Sequence, residues 1–306
     1  VLEAGHNWHH FAAVSGGWNI MNENFIKNNS KLGWINTLKL RAGYGQTASQ
    51  EVSAYTTLGT VTNNNGLSGQ AGDMSNSTIV KYNYGSSIVV GYYLAGLPDP
   101  TLDWEYTNTL NIGLDYGFLN NRITGAIDYY NAVTNKLLFS YTLPASSGVS
   151  NPYPVNVGQT KNWGMEFSIS SVNVQAANAD GFSWTTDLNL FFNRNKLTKQ
   201  IGTVTQNIGN QLFNGYSLTS IYDYKKEGIW QISEAAEAAK YGATPGQIKI
   251  QDYDNDGQIT TADRHIIGNG DPKIQGGMTN TFSYKGFDVG FTMYARFGGL
   301  LVSQIH

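Results

Sequence analysis

Leu110-Asn-Ile-Gly-Leu-Asp-Tyr-Gly-Phe-Leu-Asn-Asn-Arg-Ile-Thr-Gly-Ala-Ile-Asp-Tyr-Tyr130 alternates on either side of a short turn. Leu110, Ile112, Leu114, Tyr116 and Phe118 fall on one side of an extended chain, with Asn111, Gly113, Asp115 and Gly117 on the other. Beyond Asn120-Asn121, Ile123, Ile127 and Tyr129 oppose Thr124, Ala126, Asp128 and Tyr130. Successive side chains of a strand point to opposite faces, so this pattern predicts an antiparallel hairpin with one apolar and one polar face. The strands can run to about 17–20 residues, well beyond the five or six usual in globular sheets. A strand that crosses a bilayer needs about nine to eleven residues, and the excess can project above it.

The same alternation recurs along the chain. Leu2–Met21 is aromatic and glycine-rich and reads as a strand, and Trp34–Thr47 sets Leu38, Leu40 and Ala42 against Lys39 and Arg41. Met165, Phe167 and Ile169 alternate with Glu166, Ser168 and Ser170, and Leu188, Leu190 and Phe192 with Asn189 and Asn193. In the last hairpin, turning at Lys285-Gly286, Phe287, Val289, Phe291, Met293, Ala295 and Phe297 oppose Asp288, Thr292, Tyr294 and Arg296. The chain thus offers about eight spanning strands, each long enough for a bilayer. The connections alternate in length. Asn22–Gly33, Asn120-Asn121, Asn178–Gly181 and Lys285-Gly286 are short; 48–101 and 201–275 are long, and Leu143–Tyr153 is intermediate. Ile79–Tyr93 reads as a local hairpin within the first long loop, and Ser233–Tyr241 as a short helix in the second, with Ser233 as N-cap and Gly242 as the stop. That rhythm puts every short turn on one side of a membrane, as in outer-membrane barrels with short periplasmic turns and long extracellular loops. A soluble β-sandwich has no reason to segregate loop lengths in this way.

Composition agrees. Charged residues are 13% of the chain and hydrophobic ones 41%, whereas soluble domains carry about a quarter charged residues. A barrel with an apolar outside and a neutral polar inside has such a balance. The net charge of −3 speaks against nucleic acid as a partner. With no cysteine there is no disulfide or thiol chemistry. No run of apolar residues is long enough for a transmembrane helix, and no signal peptide opens the sequence at Val1. His6, His9 and His10 cluster, but His9 and His10 point to opposite sides of a strand and do not readily share an ion.

Within the second long loop, Asp252-Tyr-Asp-Asn-Asp-Gly-Gln-Ile-Thr-Thr-Ala-Asp263 has the spacing of a twelve-residue calcium loop. Ca²⁺ takes six to eight hard oxygen ligands, and positions 1, 3, 5, 7 and 12 can deliver them. Asp252, Asp254 and Asp256 supply side chains, Gln258 a backbone carbonyl, Thr260 a hydroxyl or bridging water, and Asp263 closes the shell. Gly257 stands at the sharp turn, and Ile259 is apolar at position 8. Position 12 departs from the EF-hand pattern, because aspartate replaces the longer bidentate glutamate, and there is no second copy. The alternative is an acidic surface turn without metal.

Several motifs carry a family resemblance. Asp263-Arg-His-Ile-Ile-Gly-Asn-Gly-Asp-Pro-Lys273, followed by Gly276-Gly-Met-Thr-Asn-Thr-Phe-Ser-Tyr-Lys-Gly-Phe-Asp288, resembles the turn and hairpin of SusC/RagA-like TonB-dependent outer-membrane transporters. Leu38-Lys-Leu-Arg-Ala-Gly-Tyr-Gly-Gln-Thr47, Leu97-Pro-Asp-Pro-Thr-Leu-Asp-Trp-Glu105 and Val155-Asn-Val-Gly-Gln-Thr-Lys-Asn-Trp-Gly-Met-Glu166 are similar to further motifs, in the family's order. The resemblance implies an all-β, membrane-spanning antiparallel barrel, of which residues 1–306 are a partial domain from a parent of about 22 strands. It also implies an outer-membrane importer of oligosaccharides or peptides, energised by the TonB complex through an N-terminal part with no counterpart here. Its partners would be a SusD-like surface lipoprotein, membrane lipid, and a glycan or peptide substrate.

Enzyme signatures are missing: there is no G-x-S-x-G elbow, H-E-x-x-H or P-loop. Gly268-Asn-Gly270 is followed by no helix and reads as a turn. Asp103 and Glu105 share a strand face but lack a partner across a cleft, so an enzyme is not expected. Tyr130, Tyr294 and Trp163 are candidate lumen-facing aromatics, which could contact substrate or simply fill space. The competing function is a secreted, calcium-stabilised, β-rich glycan-binding module.

Overall fold

The structure, a computed structural model, describes residues 8–49, 56–58, 60–62, 81–90, 92–99, 101–141, 147, 153–178 and 180–302. Half of the predicted 48–101 loop, most of the 143–153 loop, and His6 lie outside the described residues. Eight long strands form one antiparallel sheet: β1 (Ala13–Asn19), β2 (Ile35–Ser49), β3 (Glu105–Phe118), β4 (Ile123–Asn135), β5 (Gln159–Val174), β6 (Ser183–Lys199), β7 (Ile274–Tyr284) and β8 (Phe287–Phe297). Their order in the sheet is their order in the chain, an uninterrupted meander. All eight expected strands are present. β3 to β6 run to 14, 13, 16 and 17 residues, mostly shorter than the alternation alone allowed but enough to cross a bilayer. β1 ends before Met21 because the chain passes into a 3₁₀ turn at Ile20–Asn22, and residues 2–7 of the expected strand lie outside the described residues.

The short connections have distinct chemistry. Lys285 and Gly286 both have positive φ, 48° and 79°, and Tyr284 pairs with Phe287, a two-residue loop whose twist suits a tight hairpin. Leu119, Asn120 and Asn121 are also left-handed, at 53°, 58° and 60°, and the asparagines tolerate this with short polar side chains. The Asn22–Gly33 connection is helical, containing a single α-turn at Asn24–Lys27 and a 3₁₀ turn at Ser30–Leu32 capped by the Asn29 side chain.

The chain divides into two compact units. One comprises Val1–Val14, Gly43–Leu110 and Ala132–Thr160. In it, Lys81–Tyr84 pairs with Ser87–Val90, the local hairpin expected within Ile79–Tyr93. Leu138–Tyr141 pairs with Tyr153–Asn156. Leu102 is fully buried. Beside it the Lys136 ammonium reaches Asp103 at 2.6 Å, Asn156 Nδ2 donates to the carbonyls of Asp103 and Lys136, and the Leu138 N–H donates to Glu105. Asp103 and Glu105 are therefore engaged in holding neighbouring chain.

The second unit comprises Ser15–Ala42, Asn111–Asn131 and Lys161–His306. Register fixes its faces. Leu188 stands opposite Met278, Trp184 opposite Phe282 and Phe282 opposite Val289, all on the apolar side. Asn189 faces Gly277, Asp187 faces Thr279 and Thr279 faces Thr292 on the polar side. Aromatic rings gather at the short-turn end of the apolar face: Trp34 with Phe118 at 5.1 Å, Trp184 with Phe282 at 5.6 Å, Phe282 with Phe291 at 6.2 Å. This is the placement of an interfacial girdle. Trp184 Nε1 and Thr186 Oγ1 both donate to Asn280 Oδ1, so a buried amide on this face has its partners.

The buried apolar side chains lie away from the middle of the sheet. Among the described residues they are Leu102, Val155, Leu197, Phe213, Trp230 and Ala238, in loops, short ladders, the helix Ala235–Lys240 or the end of β6. A soluble sandwich would bury the inner face of every strand; here, among the described residues, neither face of the sheet is covered. Adjacent positions on β6 separate the two environments. Leu188→Lys is expected to cost about 2–4 kcal/mol near the bilayer midplane, and Asn189→Lys far less. The measurement is the folded, inserted fraction of full-length protein by heat-modifiable gel mobility. Equal losses would remove the face assignment.

Candidate functional site

The polar face of the second unit carries one prominent ionic arrangement. Arg41 on β2 presents Nε and Nη2 to both oxygens of Asp115 on β3, at 2.7–3.0 Å, and Nη2 reaches Asp128 on β4 at 3.0 Å. Three neighbouring strands are thereby joined through a planar fork that matches carboxylate geometry. Gly113 leaves the room: a Cβ there would lie 2.5 Å from Asp128 Oδ1 and 2.6 Å from the Arg41 Cζ. Further along this face, Tyr130 donates to Asn193 Oδ1 at 2.9 Å and Tyr294 to Gln275 Oε1 at 2.9 Å, which keeps both tyrosines on the polar side. Trp163 differs from expectation. It packs edge-on to Phe192 at 6.0 Å, and Phe192 shares the apolar side with Leu188 and Leu190. Strand parity places Trp163 with Met165 and Phe167, away from the lumen.

The 201–275 segment folds into small ladders instead of remaining an irregular loop. Ser220–Asp223 pairs with His265–Asn269, and Lys226–Ile229 with Ile248–Ile250. Gly268-Asn-Gly270 begins inside the first ladder, which accounts for it without a phosphate. The helix Ala235–Lys240 ends at Gly242, whose φ of 66° marks the stop. Its start departs from the reading at Ser233. A 3₁₀ turn at Ile232–Glu234 precedes it, and the cap is Gln231, whose N–H donates to Glu234 in a reciprocal capping box. Lys249 pairs with Glu234 at 3.0 Å and lies 4.4 Å above the ring of Trp230, itself stacked on Tyr241. The Gln231 N–H and then Lys249 hold the Glu234 carboxyl below its ordinary range.

Residues 252–263 connect Ile248–Ile250 of one ladder to His265–Asn269 of the other. One carboxylate oxygen from each of Asp252, Asp254 and Asp256 comes within 4.8 Å of the others. Ligand oxygens at 2.3–2.6 Å from Ca²⁺ are separated by about 5 Å at most, so the three carboxylates are close enough to share one ion. Each carboxylate is oriented by one backbone N–H: Gly257 donates to Asp252, Asp256 to Asp254, and Gln258 to Asp256. Asn255 and Gly257 have positive φ, 62° and 82°, which folds the turn so that these bonds form. Asp252 Oδ1 is buried and accepts no hydrogen bond. Loss of water, followed by the charges of Asp256, Asp263 and Asp252, raises the pKa of Asp254. A divalent cation would relieve both conditions. Asp263 is placed differently from the three. It is fully buried, and its oxygens accept the N–H groups of Tyr253 and Thr260, each at 2.7 Å. It thus ties the entry of the loop to its exit, while Tyr253 stacks on His265 at 4.0 Å.

The Thr260 N–H is the main cause of a lowered Asp263 pKa. A carboxylate depressed in the folded state contributes stability above its unfolded value, about 3.9, and loses it as pH falls through the lower folded value. Loop proteolysis is therefore expected to be unchanged down to about pH 5 and to accelerate only below the ordinary carboxylate range. Asp263→Asn should be cleaved faster already at neutral pH. Unchanged cleavage of that variant would remove the clamp.

A family model described as TonB dependent receptor-like, beta-barrel, matches residues 27–298. The chain is 33% identical over 307 residues to TonB-dependent receptor P3 of Formosa agariphila, covering 96% of this chain and 28% of that protein. It is 29% identical over 309 residues to TonB-dependent receptor SusC of Bacteroides thetaiotaomicron, covering 94% and 27%. Among solved structures, the RagAB peptide importer in its closed-closed state superposes with a TM-score of 0.68 at 22% identity, over 96% of this chain and 30% of that one. The chain thus spans between a quarter and a third of the length of these proteins. On these matches, and on the eight-strand meander with its two unlike faces, the chain belongs to the TonB-dependent receptor β-barrel family.

Proposed function

We propose that this chain is part of an outer-membrane importer that takes up oligosaccharides or peptides with energy from TonB, working with a SusD-like surface lipoprotein. The observation that carries this reading is the sheet itself, whose apolar, aromatic-belted face suits lipid and whose polar face, bearing Arg41, Asp115, Asp128 and Tyr130, suits a lumen. A barrel of about 22 strands encloses a plugged lumen through which large solutes pass. In this reading the role is transport, and Asp103 and Glu105, at the entry to β3, are engaged with Lys136 and the Leu138 N–H. A secreted glycan-binding module gains little, because its strands would have to bury a face that is open here. The test deletes the parent gene and follows growth on single oligosaccharides or peptides. Loss of growth on one such substrate, restored by the intact gene but not in a strain lacking TonB, supports the reading; undiminished growth and uptake on every substrate would count against it.

The 252–263 loop takes Ca²⁺ as a structural ion in this proposal. Asp252, Asp254, Asp256 and the Gln258 carbonyl are the ligands, with Asp263 closing the loop behind them. The gathered oxygens and the unpartnered Asp252 Oδ1 support it. Extracellular calcium sites can bind as weakly as about 10⁻⁴–10⁻³ M and still fill from the medium. Chelation is expected to expose the 201–275 segment to protease without unfolding the barrel. Asp254→Ala with Asp256→Ala should show the same sensitivity with calcium present. Protection indifferent to chelator, with no calcium retained, would leave an ordinary acidic turn.

A further inference from the structure

Three residues far apart in sequence meet where the 201–275 segment leaves β6 and returns to β7. Asn195 is near the end of β6, Ser217 lies in the outgoing chain, and Asp271 stands three residues before β7. Asp271 Oδ2 accepts from Ser217 Oγ at 2.5 Å and from Asn195 Nδ2 at 2.9 Å. The Leu218 N–H donates to Asn195 Oδ1 at 2.8 Å, and the Thr219 N–H to Ser217 Oγ at 3.1 Å. Ser217 has a single hydroxyl proton, and the carboxylate is the strongest acceptor within its reach. That proton goes to Asp271, and the Thr219 hydroxyl, 3.0 Å away, donates back to Ser217. The backbone adds parallel ties: Gly215 N–H to Leu197 O, Leu197 N–H to Tyr216 O, and Gly270 N–H to Thr219 O. Arg194 closes the returning side, donating to the carbonyls of Pro272 and Lys273. Ser217 and Leu197 are buried in this junction.

We propose that Asp271 is a positioning residue, a latch that fixes both legs of the 201–275 segment to the end of β6 and makes it a rigid shelf instead of a gate. One carboxylate oxygen gathers the outgoing leg through Ser217 and the barrel strand through Asn195, while Asp271 itself belongs to the returning leg. Removing it frees both legs at once and leaves Ser217 and Asn195 without their shared acceptor. The consequence for import, that the movement admitting a solute belongs to another component, rests on the importer reading; the latch does not.

Hydrogen exchange of the full-length protein in detergent, with calcium held constant, separates the two because it is read without cargo. Hydrogen bonds to a charged acceptor are strong enough that Asp271→Ala should speed exchange of the protected amides in 212–229 and 265–270 by about tenfold or more. Amides in the middle of β5 and β6 should not change. Ser217→Ala, a smaller perturbation for use if the first variant folds poorly, should move the same amides in the same direction. Asp271→Asn, which keeps an acceptor at that position, should restore part of the protection. Unchanged exchange in both alanine variants, acceleration limited to residues 269–273, or no recovery in the asparagine variant would each overturn the latch.

Discussion

A backbone amide or carbonyl left unpaired in hydrocarbon costs several kcal/mol, and in a β-protein the only remedy is a neighbouring strand. That constraint orders the whole chain. It requires strands of bilayer length, a ladder in which each strand pairs with its sequence neighbours, and turns that occupy little space where the chain reverses. The meander from Ala13 to Phe297 meets these demands for its six inner strands, β2 to β7, while β1 and β8 stand at the two edges of the sheet. Hydrogen bonding being met by the ladder, side chains are left to distinguish two solvents. Leu188, Met278 and Phe282 present hydrocarbon on one side; Asp187, Asn189, Thr279 and Thr292 present water-compatible groups on the other.

The polar side has its own energetic problem, since carboxylates near one another repel. Arg41 resolves it for Asp115 and Asp128 by lying between them, with Gly113 as the space it needs. The three side chains are about a third exposed, so the energy of the arrangement is modest. Its larger effect is geometric, because one rigid fork ties β2, β3 and β4 in a single register. At the other end of the second unit, Asp263 and Asp271 perform similar services with backbone and side-chain donors, clamping the calcium-type loop and the base of its shelf.

Much of this was legible in sequence because period-two patterning is local. Leu110–Phe118 and Phe287–Phe297 display their faces without reference to any partner, and Lys285-Gly286 announces its turn. What escaped was whatever depends on residues brought together from a distance. Nothing near Arg41 in sequence says that it will lie between Asp115 and Asp128, because that follows from the register of three strands. Trp163 packs on Phe192 on the apolar side, which the parity of Met165 and Phe167 indicates and its residue type does not. Ser233 looked like a cap by type, but the chain enters the helix one turn earlier, where Gln231 and Glu234 satisfy each other. The twelve-residue spacing singles out Asp252, Asp254 and Asp256, whose carboxylate oxygens lie within 4.8 Å of one another. It gave no sign that both oxygens of Asp263 accept backbone N–H groups, a role visible only once the loop has folded.

The central claim is that one sheet separates lipid from lumen residue by residue. The chain contains no cysteine, so once any cysteine elsewhere in the full-length protein is replaced, single cysteines can be placed at each position from Ser183 to Phe192. Labelling in native membranes with a water-soluble and a lipid-soluble maleimide reads each position's solvent. The account predicts strict alternation: Asp187, Asn189 and Phe191 labelled from water, and Thr186, Leu188 and Leu190 reached only through lipid. Labelling of consecutive positions by the same reagent, with no period of two, would contradict it.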